Sequence, residues 1–144
     1  MREYRLLSLK ESGKKLRDIL ALAALQACNS DKTQMHGSVL FSGSTVYNTG
    51  YNENRDAHWV QKPRNLDYPI RSMHAEISCM NNIPRERIVG KDLAVVRVAK
   101  STGLLLNSEP CAQCTREMVK RSIRRCFFSL GGDLIGVYSL QKMN

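Results

Sequence analysis

The stretch "RRCFFSLGGDLIGVYSL" (residues 124–140) holds two apolar runs separated only by Gly131, Gly132 and Asp133. Both runs carry the aromatic and β-branched residues that suit strands. A parallel crossover between neighbouring strands needs about a dozen residues or more, whereas a link this short closes an antiparallel pair. The two runs are therefore expected to form a β-hairpin.

Working upstream, "DLAVVRVAK" (residues 92–100) reads as a valine-rich strand. "SVLFS" and "TVYNTG" flank "GS" and read as a second hairpin. Leu16, Ile19, Leu20, Ala23, Ala24 and Ala27 recur at helical spacing and predict a helix over 13–28. Two more helices are expected, from about residue 73 to 82 and from Cys111 to about Arg121. Residues 51–72 are polar and irregular, with Pro63 and Pro69, and connections of that length are usually functional or disordered. The order is helix, hairpin, helix, strand, helix, strand, strand. It predicts an α/β fold: a three-layer α/β/α sandwich around a mixed five-stranded sheet whose last two strands are antiparallel.

At 144 residues the chain is expected to be a single domain, residues 1–144. A composition of 42% hydrophobic and 24% charged residues suits a core built without disulfides. The most apolar run, "ILALAALQAC" (residues 19–28), is too short for a membrane helix and too internal for a signal peptide. Five cysteines without such a signal point to a reducing cytoplasmic or nuclear setting rather than secretion. The formal net charge of +9 favours anionic partners such as nucleotide phosphates or nucleic acid. A merely soluble basic surface accounts for it equally well.

In "RSMHAEISCMNN" (residues 71–82), His74 and Glu76 would point about 200° apart on a helix. In a first turn, both reach a point beyond the helix end. Cys111 and Cys114 form a CxxC behind Pro110, a residue suited to a helix start. Two helix N-termini facing each other would gather His74, Cys111 and Cys114. That is the three-ligand set of a catalytic zinc site with an open fourth position. Glu76 would stand beside that position as a general base.

"HAE" (residues 74–76) with "PCAQC" (residues 110–114) resembles the zinc-dependent cytidine and deoxycytidylate deaminase superfamily. The resemblance runs from about Lys14 to Leu140 and includes the order of elements. It implies one zinc ion per chain, held by His74, Cys111 and Cys114, with Glu76 shuttling protons. It implies hydrolytic deamination of a cytosine base in a nucleoside or nucleotide, with ammonia released. "GYN" (residues 50–52) resembles the family's Gly-x-Asn, so Asn52 is expected to contact sugar or base. His36 falls near the pocket mouth by the same match, although a plain loop histidine fits as well. Relatives commonly form dimers or larger assemblies, so a homo-oligomer is expected. The terminal hairpin is similar to the nucleoside-type branch, while the histidine ligand and "GYN" are similar to the deoxycytidylate and tRNA-adenosine branch.

Two other functions stay open. One is deamination of cytosine or adenine in single-stranded DNA or RNA. Trp59 would stack on a base, and Arg55, Lys62, Arg64, Arg71 and "REMVKRSIRR" (residues 116–125) would meet phosphates. Each of these also reads as a loop anchor or a solvated face. In "REMVKRSIRR", Met118, Val119 and Ile123 form the buried side. The other function is a non-catalytic zinc module binding nucleic acid or protein, in which Glu76 has no task. Cys28, Cys79 and Cys126 read as core thiols.

Overall fold

The computed structural model describes residues 3–53 and 74–140. Strand β1 (Arg5–Ser8) is followed by a short 3-10 helix (Lys10–Ser12) and helix α1 (Gly13–Ala27). Strands β2 (Met35–Ser42) and β3 (Thr45–Tyr51) form the first hairpin. Helices α2 (Ala75–Met80) and α3 (Arg85–Ile88) lead to β4 (Asp92–Val98) and the two-residue β5 (Leu105–Leu106). Helix α4 (Ala112–Lys120) precedes β6 (Arg125–Gly131) and β7 (Leu134–Ser139).

One mixed sheet runs in the order β1-β7-β6-β4-β2-β3, with β5 on β4. The β6–β7 pair is antiparallel, as its short link requires, and β4–β6 is the parallel pair around which α4 crosses over. The expected five strands are β2, β3, β4, β6 and β7; among the described residues the sheet has seven. β1 escapes a sequence reading because its four residues make sense only against β7, where Arg5 pairs Val137. β5 escapes it because two residues carry no periodicity. The helix α3, begun at Pro84, is likewise additional to the expected elements.

The alternation along each strand divides the core into two layers. Val39, Phe41, Ala94, Val96 and Phe127 pack with Ile19, Leu20, Ala23 and Ala27 of α1. Leu40, Leu93, Val95 and Phe128 pack on the other face with Ala75, Ile77, Met80, Ile88 and Met118 from the remaining helices. Burying each of these larger side chains contributes roughly 1.5–3 kcal/mol. Gly37 sets how closely α1 approaches: a Cβ there would lie 2.0 Å from the Ala23 carbonyl oxygen.

At the start of the parallel pair, Asp92 is 1% exposed and takes both guanidinium groups of Arg124 and Arg125. The shortest bonds run from the two Nη2 atoms to Oδ2, at 2.9 and 2.8 Å. Burial alone would raise this carboxyl, but the two forks hold it below the ordinary carboxylate value.

Candidate metal centre and active site

Helix α2 is only six residues long, and an isolated helix of that length does not form in water. It is tied at both ends to the first hairpin. The Ser38 hydroxyl donates to the Ala75 carbonyl at 2.7 Å, and Asn48 Nδ2 donates to the Cys79 carbonyl at 2.8 Å. Gly50 lets the helix lie against β3, since a Cβ there would meet the Cys79 nitrogen at 2.7 Å. These contacts place His74 at the N-cap and Glu76 in the first turn.

Helix α4 is aimed by its approach. The Ser108 N–H donates to the Ser129 carbonyl at 2.8 Å, and its hydroxyl donates to the Val95 carbonyl at 2.9 Å. Pro110, buried, then delivers Cys111 to the N-cap, where its Sγ accepts the Cys114 N–H. The two sulfurs converge because one caps the helix while the other lies in its first turn. Cys111 is therefore not inside the helix, where the spacing alone would put it.

The Nδ1 atom of His74 lies 3.3 Å from Cys114 Sγ and 3.7 Å from Cys111 Sγ. The three donor atoms all fall within 4.8 Å of one another. Zinc bonds of about 2.0 Å to nitrogen and 2.3 Å to sulfur, at tetrahedral angles, need N···S edges of about 3.6 Å. The observed edges bracket that value, so the donor set fits one zinc ion.

The charges are arranged to match. The hydrogen bond between the two thiols holds Cys111 down to about 3, with His74 adding to the effect, although burial opposes it. The same bond, reinforced by burial, pushes Cys114 up. One thiolate is thus already present, and metal binding displaces the remaining proton. The hydrogen bond to Cys111 raises His74 despite its partial burial.

A cavity of about 480 Å³ opens over this cluster, lined by Lys32, Gln34, His36, Asn52, Glu76 and Glu109 among others. Glu76 is 5% exposed, and burial pushes its carboxyl up to about 7. His36 is not a loop residue: it belongs to β2, opposite Arg97 of β4. Burial, with Arg97 and His74 nearby, lowers it to about 4, so it is neutral at pH 7. Asn52 uses its amide largely to hold the rim. Its Oδ1 accepts the His36 N–H at 2.9 Å, and its Nδ2 donates to the Gln34 carbonyl at 2.7 Å.

The sequence reading gives no role to Lys32 or Glu109. Glu109 sits directly before the "PC" of the metal motif, and that neighbourhood is the available signal. Its Oε2 accepts a hydrogen bond from the Tyr138 hydroxyl. Trp59, with His58, Arg55, Lys62, Arg64 and Arg71, lies outside the described residues.

Cys79 and Cys126 are buried as expected, whereas Cys28 is exposed. Cys28 follows the last buried turn of α1, so its apolar neighbours mislead. The "REMVKRSIRR" stretch is not one helix. Helix α4 stops at Lys120, Ser122 takes a positive φ of 61°, and Arg125 already begins β6. Met118 and Ile123 are buried, but Val119 is 42% exposed.

The Cytidine and deoxycytidylate deaminase zinc-binding region model matches residues 11–130. No curated protein matches the chain significantly by sequence. Among solved structures, the apo dCMP deaminase from cyanophage S-TIM5 is similar, with a TM-score of 0.56 at 16% identity over 79% of this chain and 81% of that one. Cytidine deaminase from Burkholderia pseudomallei gives a TM-score of 0.56 at 14% identity, covering 86% of this chain and 91% of that one. Cytidine deaminase from Mycobacterium leprae gives 0.51 at 17%, covering 85% and 92%. At such identities these likenesses concern the fold. Together with the match over residues 11–130 and a donor set that fits one zinc ion, they lead to one conclusion: the chain belongs to the cytidine and deoxycytidylate deaminase zinc-binding family.

Proposed function

We propose that the protein hydrolytically deaminates a cytosine base carried by a nucleoside or nucleotide, giving the uracil product and ammonia. The observation that carries this reading is Glu76, a buried carboxylate lining the same cavity as His74 and Cys111. A carboxylate is costly to bury without a task, and a purely structural zinc site has none for it. The dCMP and dUMP held in a structure of the cyanophage S-TIM5 dCMP deaminase support a pyrimidine nucleotide as the substrate class.

His74, Cys111 and Cys114 hold the metal. When bound there, zinc supplies the Lewis acidity that makes water a nucleophile near neutral pH. Glu76 takes the proton from the attacking water and hands it to the departing amine. A C–O bond forms at the ring carbon, the exocyclic C–N bond breaks, and the nitrogen leaves as ammonia. Backbone N–H groups near Cys111 stabilise the developing charge. Asn52 orients the sugar with the amide hydrogen left over from its bond to Gln34, and neutral His36 lines the pocket beside it.

The test is one panel with purified, zinc-loaded protein: cytidine, deoxycytidine, their mono- and triphosphates, and cytosine- or adenine-containing oligonucleotides. Mass spectrometry reads replacement of the amino group by oxygen. Ammonia released from free cytosine nucleosides or nucleotides supports the reading. Stoichiometric zinc without turnover of any substrate defeats it.

The net charge of +9 favours a second reading, the same chemistry on single-stranded DNA or RNA. Such activity falls steeply with added salt, whereas turnover of a free nucleotide changes far less.

A further inference from the structure

The rim of the cavity carries a carboxylate that the proposed chemistry does not use. Glu109 lines the cavity while lying at its exposed edge. Its backbone is fixed, because its N–H donates to Asn107 Oδ1 at 2.8 Å. Its side chain is fixed too, because Oε2 accepts the Tyr138 hydroxyl. Tyr138 is itself 3% exposed and clamped between rings, with Phe128 at 5.0 Å and Tyr4 at 5.6 Å between centroids.

This arrangement is more elaborate than a surface glutamate needs. A solvated carboxylate is served by water, and tethering it costs side-chain entropy. Here a buried phenol hydrogen is spent on holding one oxygen, while Oε1 has no partner among the described residues. A carboxylate accepts hydrogen bonds only, so what it can read is a donor. The amino group of the base is committed to the metal end of the cavity, near Glu76. The donors left on a nucleoside-type substrate are the hydroxyls of its sugar.

We propose that Glu109 is a specificity-determining residue that accepts a hydrogen bond from a sugar hydroxyl of the substrate, with Tyr138 as its positioning residue. The inference rests on the nucleoside or nucleotide reading above. It has a second consequence by charge. On a deoxynucleoside 5′-monophosphate the hydroxyl left is the 3′ one, and a phosphate attached there would meet a fixed negative group, so Glu109 disfavours a sugar carrying a 3′-phosphate or a continuing strand.

The experiment compares kcat/KM for deoxycytidine and deoxycytidine 5′-monophosphate with their 2′,3′-dideoxy and 3′-phosphorylated counterparts. The proteins are the wild type and the Glu109→Ala, Glu109→Gln and Tyr138→Phe variants, all zinc-loaded. The wild type is expected to prefer the hydroxylated substrate over the dideoxy one by about tenfold to a hundredfold, the range of a hydrogen bond to a charged group. Glu109→Ala should collapse that ratio by slowing the hydroxylated substrate and leaving the dideoxy substrate unchanged. Glu109→Gln, which loses the charge and has one acceptor oxygen for two donors, should keep only part of the ratio and gain on the 3′-phosphorylated substrate. Tyr138→Phe should reduce the ratio in part. A ratio unchanged in Glu109→Ala, or a uniform loss on every substrate, overturns the inference and leaves the deaminase reading standing. No turnover of any substrate by the wild type removes that reading, and the inference with it.

Discussion

At the scale of single residues, the proposed chemistry divides the labour between neighbours two positions apart. His74 would give a lone pair to the metal, and Glu76 is a carboxylate whose burial lifts it to about 7, a value suited to both taking and giving a proton. Replacing Glu76 by Gln should therefore lower kcat by about 10²–10⁴-fold or more, while zinc content measured by atomic absorption stays near one per chain. Loss of the metal in that variant would show that Glu76 is structural. His36 offers a cleaner titration. Its imidazole should stay neutral down to about pH 4, so its ring proton shifts in NMR should not move between pH 8 and 5.5. The gathering of His74, Cys111 and Cys114, with Glu76 in the cavity beside them, is legible in the sequence because their spacing is chemically restrictive. Glu109 is not, because nothing in "SEP" shows that a tyrosine nearly thirty positions later will hold it.

At the scale of elements, α2 is the piece whose position decides function and whose own stability is least. Its placement depends on Gly50, Ser38 and Asn48. Substituting Gly50 by Val should push α2 off β3, because the new side chain meets backbone atoms that cannot rotate away. The expected cost is about 1–3 kcal/mol, read as a lower midpoint in urea. Zinc affinity, read by competition with a chromophoric chelator, should weaken in parallel. If stability fell while zinc affinity held, Gly50 would be only a packing residue. Elements with strong local signals are legible: α1, by its apolar stripe, and the β6–β7 hairpin, by its link length. Periodicity overestimates α2 and α4 by one to a few residues, since their starts are set by caps. β1 is invisible because its reason for being a strand lies on the far side of the chain.

At the scale of the whole molecule, acid and metal removal are the two handles on stability. His36 has a folded-state value depressed to about 4, against about 6.5 when unfolded, so the unfolded chain binds more protons between those values. Its contribution is complete above about pH 6.5 and is lost as the pH falls toward 4. Asp92 is depressed too, so its contribution is complete above about pH 3.9 and is lost as the pH falls through its lower folded value. Glu76 opposes the His36 effect, because its value is raised from 4.5 to about 7 and its protonation favours the folded chain over much of the same range. Thermal melts should therefore change little from His36 and Glu76 together and show the acid loss where Asp92 is protonated, and Asp92→Asn should lower the melting temperature at pH 7 and remove that loss. A zinc ion that binds only the folded chain stabilises by mass action, so chelation should lower the melting temperature and added zinc restore it. The order of the sheet has one more consequence, in time rather than in energy. Arg5 of β1 pairs with Val137 of β7. At about 5–20 residues added per second, the first strand exists for on the order of 10 s before the ribosome has made its partner. The central strands can form while β1 waits unpaired, with the charged Glu3 beside it and Arg5 within it to discourage association with other nascent chains. The outer seam, and with it the Tyr4 ring against Tyr138, is then among the last parts of the molecule to be completed.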